Sequence, residues 1–172
     1  MKRAALLLAL AFPLSACGLR PLYSGGSGSA ASSLLSNVSV GPIEGKAGWL
    51  VRNAIVDRIG DHDGSARYRL DIKLDDQIEG YGIRADRTTT RERRQLRARY
   101  QLIDTADKDK MLIDATAGSD IGIDVVNSEY ATIAAEQTAL ERLAETVADQ
   151  IITRVALQTQ KSDGAPKADS RP

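Results

Sequence analysis

The chain of 172 residues has one cysteine, one histidine, one phenylalanine and one tryptophan, and its formal net charge is zero. Each shortage closes off a class of protein. A single cysteine forbids an internal disulfide, so stability must come from packing. The lone His62 has no second histidine or spare thiol with which to complete a zinc site, and its Gly/Asp setting reads as a solvated turn. One Phe and one Trp leave few stacking platforms for single-stranded nucleic acid. Basic and acidic residues, 23 of each, argue against a coat for nucleic acid. Beyond Phe12 no apolar run approaches the roughly 18 residues of a membrane-crossing helix. Catalytic signatures are missing as well: no Gly-x-Ser-x-Gly elbow, no phosphate-cradling glycine loop, no Cys-x-x-Cys. Adjacent carboxylates such as Asp75 and Asp76 point to opposite faces of a strand and cannot share one site. The expectation is a protein with no enzymatic activity, metal or cofactor.

What is present begins at the N-terminus. Lys2 and Arg3 precede an unbroken apolar stretch at 4–12, and small residues lead on to Cys17. That is the layout of a secretory signal over residues 1–16. A cysteine directly after Leu14-Ser15-Ala16 resembles the bacterial lipobox, whose cysteine is lipidated and becomes the first mature residue. Cys17 is therefore the candidate lipidation site, the plainer reading being an ordinary secretory signal with an unpaired thiol. Removing Lys2 and Arg3 leaves 21 basic against 23 acidic residues, net −2. Residues 17–35 read as the lipidated N-terminus and a Gly/Ser linker, ten residues of which reach roughly 15–20 Å as a coil. An acyl anchor gains about 0.8 kcal/mol per buried methylene, so several chains hold a folded body lastingly at a membrane. Residues 36–158 form the folded domain, and 159–172, polar with Pro and Gly, read as a disordered tail.

Within the domain, Asn37-Val38-Ser39-Val40 alternates up to Gly41-Pro42, a first short strand. Residues 47–59 carry Leu50, Val51, Ala54, Ile55 and Ile59 at helical spacing, with Gly60 as C-terminal cap. Trp49 is expected in the core or at its rim. From Tyr68 to Glu79 apolar residues fall at even positions (Leu70, Ile72, Leu74, Ile78) and polar ones at odd, a strand with one dry and one wet face. Leu96, Ala98, Tyr100 and Leu102 repeat the pattern. Met111, Ile113, Ala115 and Ala117 give a third run, with Ile121, Ile123 and Val125 extending it after a break at Gly118-Ser119-Asp120. Residues 128–158 place Ile133, Leu140, Ala144, Val147, Ile151 and Val155 on one helical stripe, with Asn127 or Ser128 as N-cap. The order β-α-β-β-β-α predicts an α+β two-layer sandwich, two helices on one face of a four-stranded, mainly antiparallel sheet. The opposite face is polar and must meet water or a hydrophilic partner.

One charge anomaly stands out. Between residues 84 and 99 lie Arg84, Arg87, Arg91, Arg93, Arg94, Arg97 and Arg99 against only Asp86 and Glu92, a net +5. The stretch spans a hairpin connection and the strand after it, and Arg67 and Arg69 on the preceding strand could join Arg97 and Arg99. Guanidinium forks bind phosphate in a bidentate way and tolerate desolvation better than ammonium. The cluster reads either as an anion site for a phosphorylated glycolipid or acidic partner, or as a solvated face offsetting the acidic segments that follow.

Three stretches together resemble the LptE family of lipopolysaccharide-assembly lipoproteins. They are Cys17-Gly18-Leu19-Arg20-Pro21-Leu22-Tyr23 at the start of the mature chain, Val38-Ser39-Val40-Gly41-Pro42-Ile43 before the first helix, and Val126-Asn127-Ser128-Glu129-Tyr130-Ala131 running into the last. The resemblance implies the same two-helix, four-strand sandwich. It further implies an outer-membrane protein anchored to the inner leaflet, plugging and partnering the LptD β-barrel while lipopolysaccharide moves to the outer leaflet. Gly18, in place of Asp, fits the outer-membrane sorting tendency of lipoproteins. The rival expectation is a periplasm-facing structural lipoprotein docking on another envelope assembly without binding glycolipid.

Overall fold

A computed structural model describes residues 34–62, 66–83, 89–126 and 128–163. Cys17, the Gly/Ser stretch, Arg84, Arg87, Asn127 and residues 164–172 lie outside them. In chain order the elements are β1 (Val38–Val40), α1 (Gly45–Ile59), β2 (Tyr68–Ile83), β3 (Thr89–Asp104), β4 (Lys110–Asp124) and α2 (Glu129–Asp163). The strands form one sheet in the order β1-β2-β3-β4. β1 runs parallel to β2, while β2–β3 and β3–β4 are antiparallel, so the sheet is mixed. Short links allow antiparallel neighbours, whereas the one parallel pair needs α1 as its crossover. This is the α+β sandwich that the order of sequence patterns predicts.

Alternation decides which face the helices cover. Leu70 and Ile72 of β2, Leu96, Ala98, Tyr100 and Leu102 of β3, and Ile113, Ala117 and Ile123 of β4 are all buried. Above them pack Val51, Ile55 and Ile59 of α1 and Leu140, Leu143, Val147, Ile151 and Val155 of α2. Each such side chain contributes roughly 1.5–3 kcal/mol when taken fully out of water. The two helices run parallel, side by side. Lys46 donates to Gln137 near the start of α1, and Arg58 pairs with Asp149 at 2.6 Å near its end. Gly60 ends α1 as expected, with φ at 88° and its N–H on the Val56 carbonyl at 2.8 Å. Gly48 is needed for a different reason: a Cβ there would lie 2.5 Å from the Ile43 carbonyl oxygen.

Several expectations need correction. Trp49 is 62 % exposed, because it stands two residues, some 200° of helical turn, before the inward-facing Val51. Met111 is 53 % exposed: the register shifts between Leu102 (opposite Ile113) and Ile103 (opposite Met111), which moves Met111 to the wet face. β4 has no break at Gly118; Ser119 and Ile121 continue the inward row opposite Leu96 and Arg94. β3 begins at Thr89, so Arg91 to Arg94 lie in the strand, where charged inward residues at 92 and 94 hide the alternation. Ile133 is exposed on the stretch of α2, about two turns long, that runs ahead of the start of α1, which stands level with Gln137. α2 continues to Asp163, past the boundary drawn at 158. Ahead of β1, Leu34 and Leu35 are buried core members and not part of a linker. His62 is half-buried, its Nε2 3.1 Å from the Ile59 carbonyl oxygen at the end of α1.

Candidate functional site

The wet face of the sheet carries its charges in rows. Outward positions on β3 are Arg91, Arg93, Gln95, Arg97, Arg99 and Gln101, and the antiparallel register sets carboxylates beside them. Arg91 reaches Asp124 at 3.1 Å, and Arg93 reaches Glu79 at 3.5 Å. Arg99 forks onto Asp114 at 3.2 and 3.0 Å, where Gln101 adds a third bond at 3.2 Å. The hydrogen bonds from Arg99, then from Gln101, hold the Asp114 carboxyl below its usual range, and Asp114 in turn raises the Arg99 pKa. Such solvent-facing pairs add little to stability, because water screens them. Their main effect is to neutralise the row from both sides.

Arg97 differs. It lies opposite Asp75 on one side and Gly118 on the other. Asp75 instead accepts from Gln77 at 3.1 Å. Among the described residues Arg97 makes no ion pair. The missing side chain at Gly118 opens a cleft of about 310 Å³, lined by Gln95, Arg97, Thr116 and Asp120 among others. Lys73 faces Arg99 across the β2–β3 pair, adding a cation that composition alone did not single out. Arg69 sits farther down β2, opposite Ile103, and pairs with Asp71 at 3.1 Å. Arg67 is committed to Asp104 at 2.8 Å. Neither joins Arg97 and Arg99.

Arg94 is on the other face altogether. It stands opposite Ile78 and Ile121 in the inward row, with its side chain 13 % exposed. Its Nε donates to the Asp76 carboxylate at 2.8 Å and its Nη1 to the Glu136 main-chain carbonyl of α2 at 3.0 Å. The hydrogen bond to Asp76 raises its pKa. Arg94 ties sheet to helix and is not available to a ligand on the wet face. The seven arginines therefore do not form one patch: four line β3 outward, one faces inward, and Arg84 and Arg87 lie outside the described residues. The carboxylates that flank the row were recoverable in principle. The alternation that turns Ile113 and Ala117 inward turns Asp114, Asp120 and Asp124 outward.

Taken together, these features define a small α+β sandwich with a helix-covered dry sheet face and a broad, charge-striped wet one. The sequence matches the LptE, lipopolysaccharide-assembly, family over residues 35–155, and the chain belongs to that family. Among solved structures, a candidate lipoprotein from Caulobacter crescentus is 26% identical, with a TM-score of 0.63 over 76% of this chain and 96% of that one. Rare lipoprotein B from Shewanella oneidensis, 9% identical, has a TM-score of 0.55 over 74% and 97% of the two chains. A minor lipoprotein from Acinetobacter baumannii, 12% identical, has a TM-score of 0.53 over 70% and 90%. At those last two identities the likeness is one of fold. No curated protein sequence matched the chain.

Proposed function

We propose that this protein is a lipoprotein of the outer membrane, anchored through Cys17, that partners the LptD β-barrel and assists delivery of lipopolysaccharide to the outer leaflet without catalysing a reaction. The family match over residues 35–155 carries this reading. The lipobox-like stretch Leu14-Ser15-Ala16-Cys17 and the lipoprotein nature of the similar solved structures support it. A body with a hydrophilic sheet face also suits the lumen of a membrane barrel, whose inward side chains are polar. On that face the outward arginines are the groups to meet lipid phosphates. Arg97, beside a cleft and with no ion pair among the described residues, would engage first, and Arg93 and Arg99 would follow by exchanging carboxylates for phosphate. Arg91, Arg84 and Arg87 extend the same proposal toward the hairpin end, whereas Arg94 is a scaffold residue.

A second reading has one observation in its favour. The wet face balances its charges: Arg69, Lys73 and the four outward arginines of β3 meet Asp71, Asp75, Glu79, Asp114, Asp120 and Asp124. A balanced face suits docking on another envelope protein without glycolipid. Binding of purified lipopolysaccharide separates the two. Arg93→Glu, Arg97→Glu and Arg99→Glu combined should weaken it at least about tenfold, a change of 1.4 kcal/mol or more, while the thermal midpoint stays within a few degrees of wild type. Undiminished binding by the folded triple variant rejects the arginine row. Failure of the wild-type protein to co-purify with LptD from outer membranes rejects the partnership.

A further inference from the structure

β4 is the last strand of the sheet, and its outer edge is treated unequally along its length. Past the register shift, from residue 114 to 124, even-numbered residues turn their N–H and C=O groups away from β3. Gly118 bonds outward to α2, while Val125, at an odd position, donates back to the Thr90 carbonyl at 3.0 Å. At Gly118 the Gln150 side chain answers both groups: its Oε1 accepts from the N–H at 3.1 Å, and its Nε2 donates to the carbonyl at 3.3 Å. An edge whose hydrogen bonds are already taken cannot recruit another strand at that point. Gly122 and Asp124 point the same way farther along, and no side chain among the described residues meets their backbone. There the edge opens on a groove of about 420 Å³, with Gly122 and Ile123 on the strand side and Ala134, Ala135 and Ala139 on the helix side. Arg142 stands in the same groove with no ion pair among the described residues.

Two chemistries could fill an apolar groove beside an open strand edge. An acyl chain would drive water from the Gly122 and Asp124 backbone groups and offer no hydrogen bond in return. An extended peptide answers them with its own N–H and C=O groups, and the alanines of α2 leave room for its side chains. The Arg142 guanidinium, with no ion pair among the described residues, calls for a carboxylate on the incoming segment. We infer that the β4 edge at residues 120–124 is a strand-addition site for an extended segment of a protein partner, bearing small apolar side chains toward Ala135 and an acidic residue near Arg142. The inference rests on the barrel partnership proposed above, in that the barrel protein supplies the segment.

Gly122→Pro and Gly122→Ala make the test. An ideal Cβ at residue 122 lies 3.2 Å from the Tyr81 hydroxyl, so both variants displace that ring end alike. Only proline removes the outward N–H, and because that group faces away from β3 the β3–β4 ladder stays whole. The full-length protein is co-purified with LptD from outer membranes. Gly122→Pro should recover the barrel at least about tenfold less than Gly122→Ala does, since the two share the added Cβ and differ in the outward N–H. Arg142→Glu should also lower recovery and Arg142→Lys should not. Independently of any variant, the Gly122 and Asp124 amides of wild type should exchange hydrogen at least about tenfold more slowly in the complex than free. Equal recovery by the proline and alanine variants, or unprotected amides in the complex, overturns strand addition and leaves the partnership standing. Wild type that brings down no barrel overturns both.

Discussion

Arg94 and Arg97 are three residues apart on one strand and serve opposite ends. An odd separation on a strand puts them on opposite faces, so Arg94 is shut beneath α2 with Asp76 while Arg97 stands in water. Truncating Arg94 leaves the Asp76 carboxylate without its guanidinium donor beneath the helix and cuts the tie to the Glu136 carbonyl. Arg94→Ala should cost about 1–3 kcal/mol, whereas Arg97→Ala should stay within about 0.5 kcal/mol of wild type. Urea denaturation measures both, and equal losses would erase the distinction between scaffold and surface. Asp104 makes a pH prediction of the same grain. Only 5 % exposed, it accepts from Arg67 at 2.8 Å and from the Ala106 N–H at 3.0 Å. The Arg67 hydrogen bond, foremost, holds its pKa below the usual carboxylate range, as Arg99 does for Asp114. A carboxyl depressed in the folded state adds stability above its unfolded value of about 3.9, and loses it as pH falls through the folded value. Melting temperature should therefore hold level from neutral pH down to about pH 4 on account of these two groups, then fall. Asp104→Asn should melt lower than wild type at pH 7 and show a shallower acid fall; an unchanged slope would remove Asp104 from the account.

At the scale of elements, what a residue pattern can encode was legible, and what depends on pairing was not. The stripe Leu140, Ala144, Val147, Ile151 and Val155 is fully buried, as its spacing requires, because α2 meets the sheet along one side only. The wet face of β3 followed equally from Leu96, Ala98, Tyr100 and Leu102. Period-2 alternation sets Met111 on the dry face only where the register is unbroken. Here the register shifts just after a turn in which Lys108 and Asp109 both take left-handed backbone, with φ of 51° and 56°. The ion pairs of the arginine row were hidden for a related reason: which aspartate stands beside Arg99 is fixed by the β3–β4 register. Nothing in the local sequence marks the close approach at Gly48. Its effect is testable, since alanine should help an α-helix by nearly 1 kcal/mol in isolation. Against the Ile43 main chain at 2.5 Å the added methyl must instead push helix and loop apart. Gly48→Ala should lower stability by about 1–3 kcal/mol, read from the denaturation midpoint, and a gain would mean that the α1 entry yields freely.

At the scale of the whole molecule, the folded body already includes the first two described residues, Leu34 and Leu35. Composition puts the boundary after residue 35, where Ser and Gly give way to alternation. Packing puts it earlier. Leu34 and Leu35 are each 8% exposed within the main core, and the segment they open is stitched to the start of β2. The Asn37 N–H donates to the Leu34 carbonyl at 2.9 Å, the Asn37 carbonyl accepts from the Tyr68 N–H at 3.0 Å, and its Oδ1 accepts from the Arg67 N–H at 3.1 Å. β1 is only three residues long, so these bonds and the two leucines hold the first strand against β2 more than its own ladder can. Burying two leucines is worth about 3–6 kcal/mol in all. A chain beginning at residue 36 should therefore be less stable than one beginning at residue 34 by most of that amount, with native-state exchange rising first at the Val38, Tyr68 and Leu70 amides. Were the shorter chain as stable as the longer, the two leucines would belong to the tether after all, and β1 would be shown to stand without them.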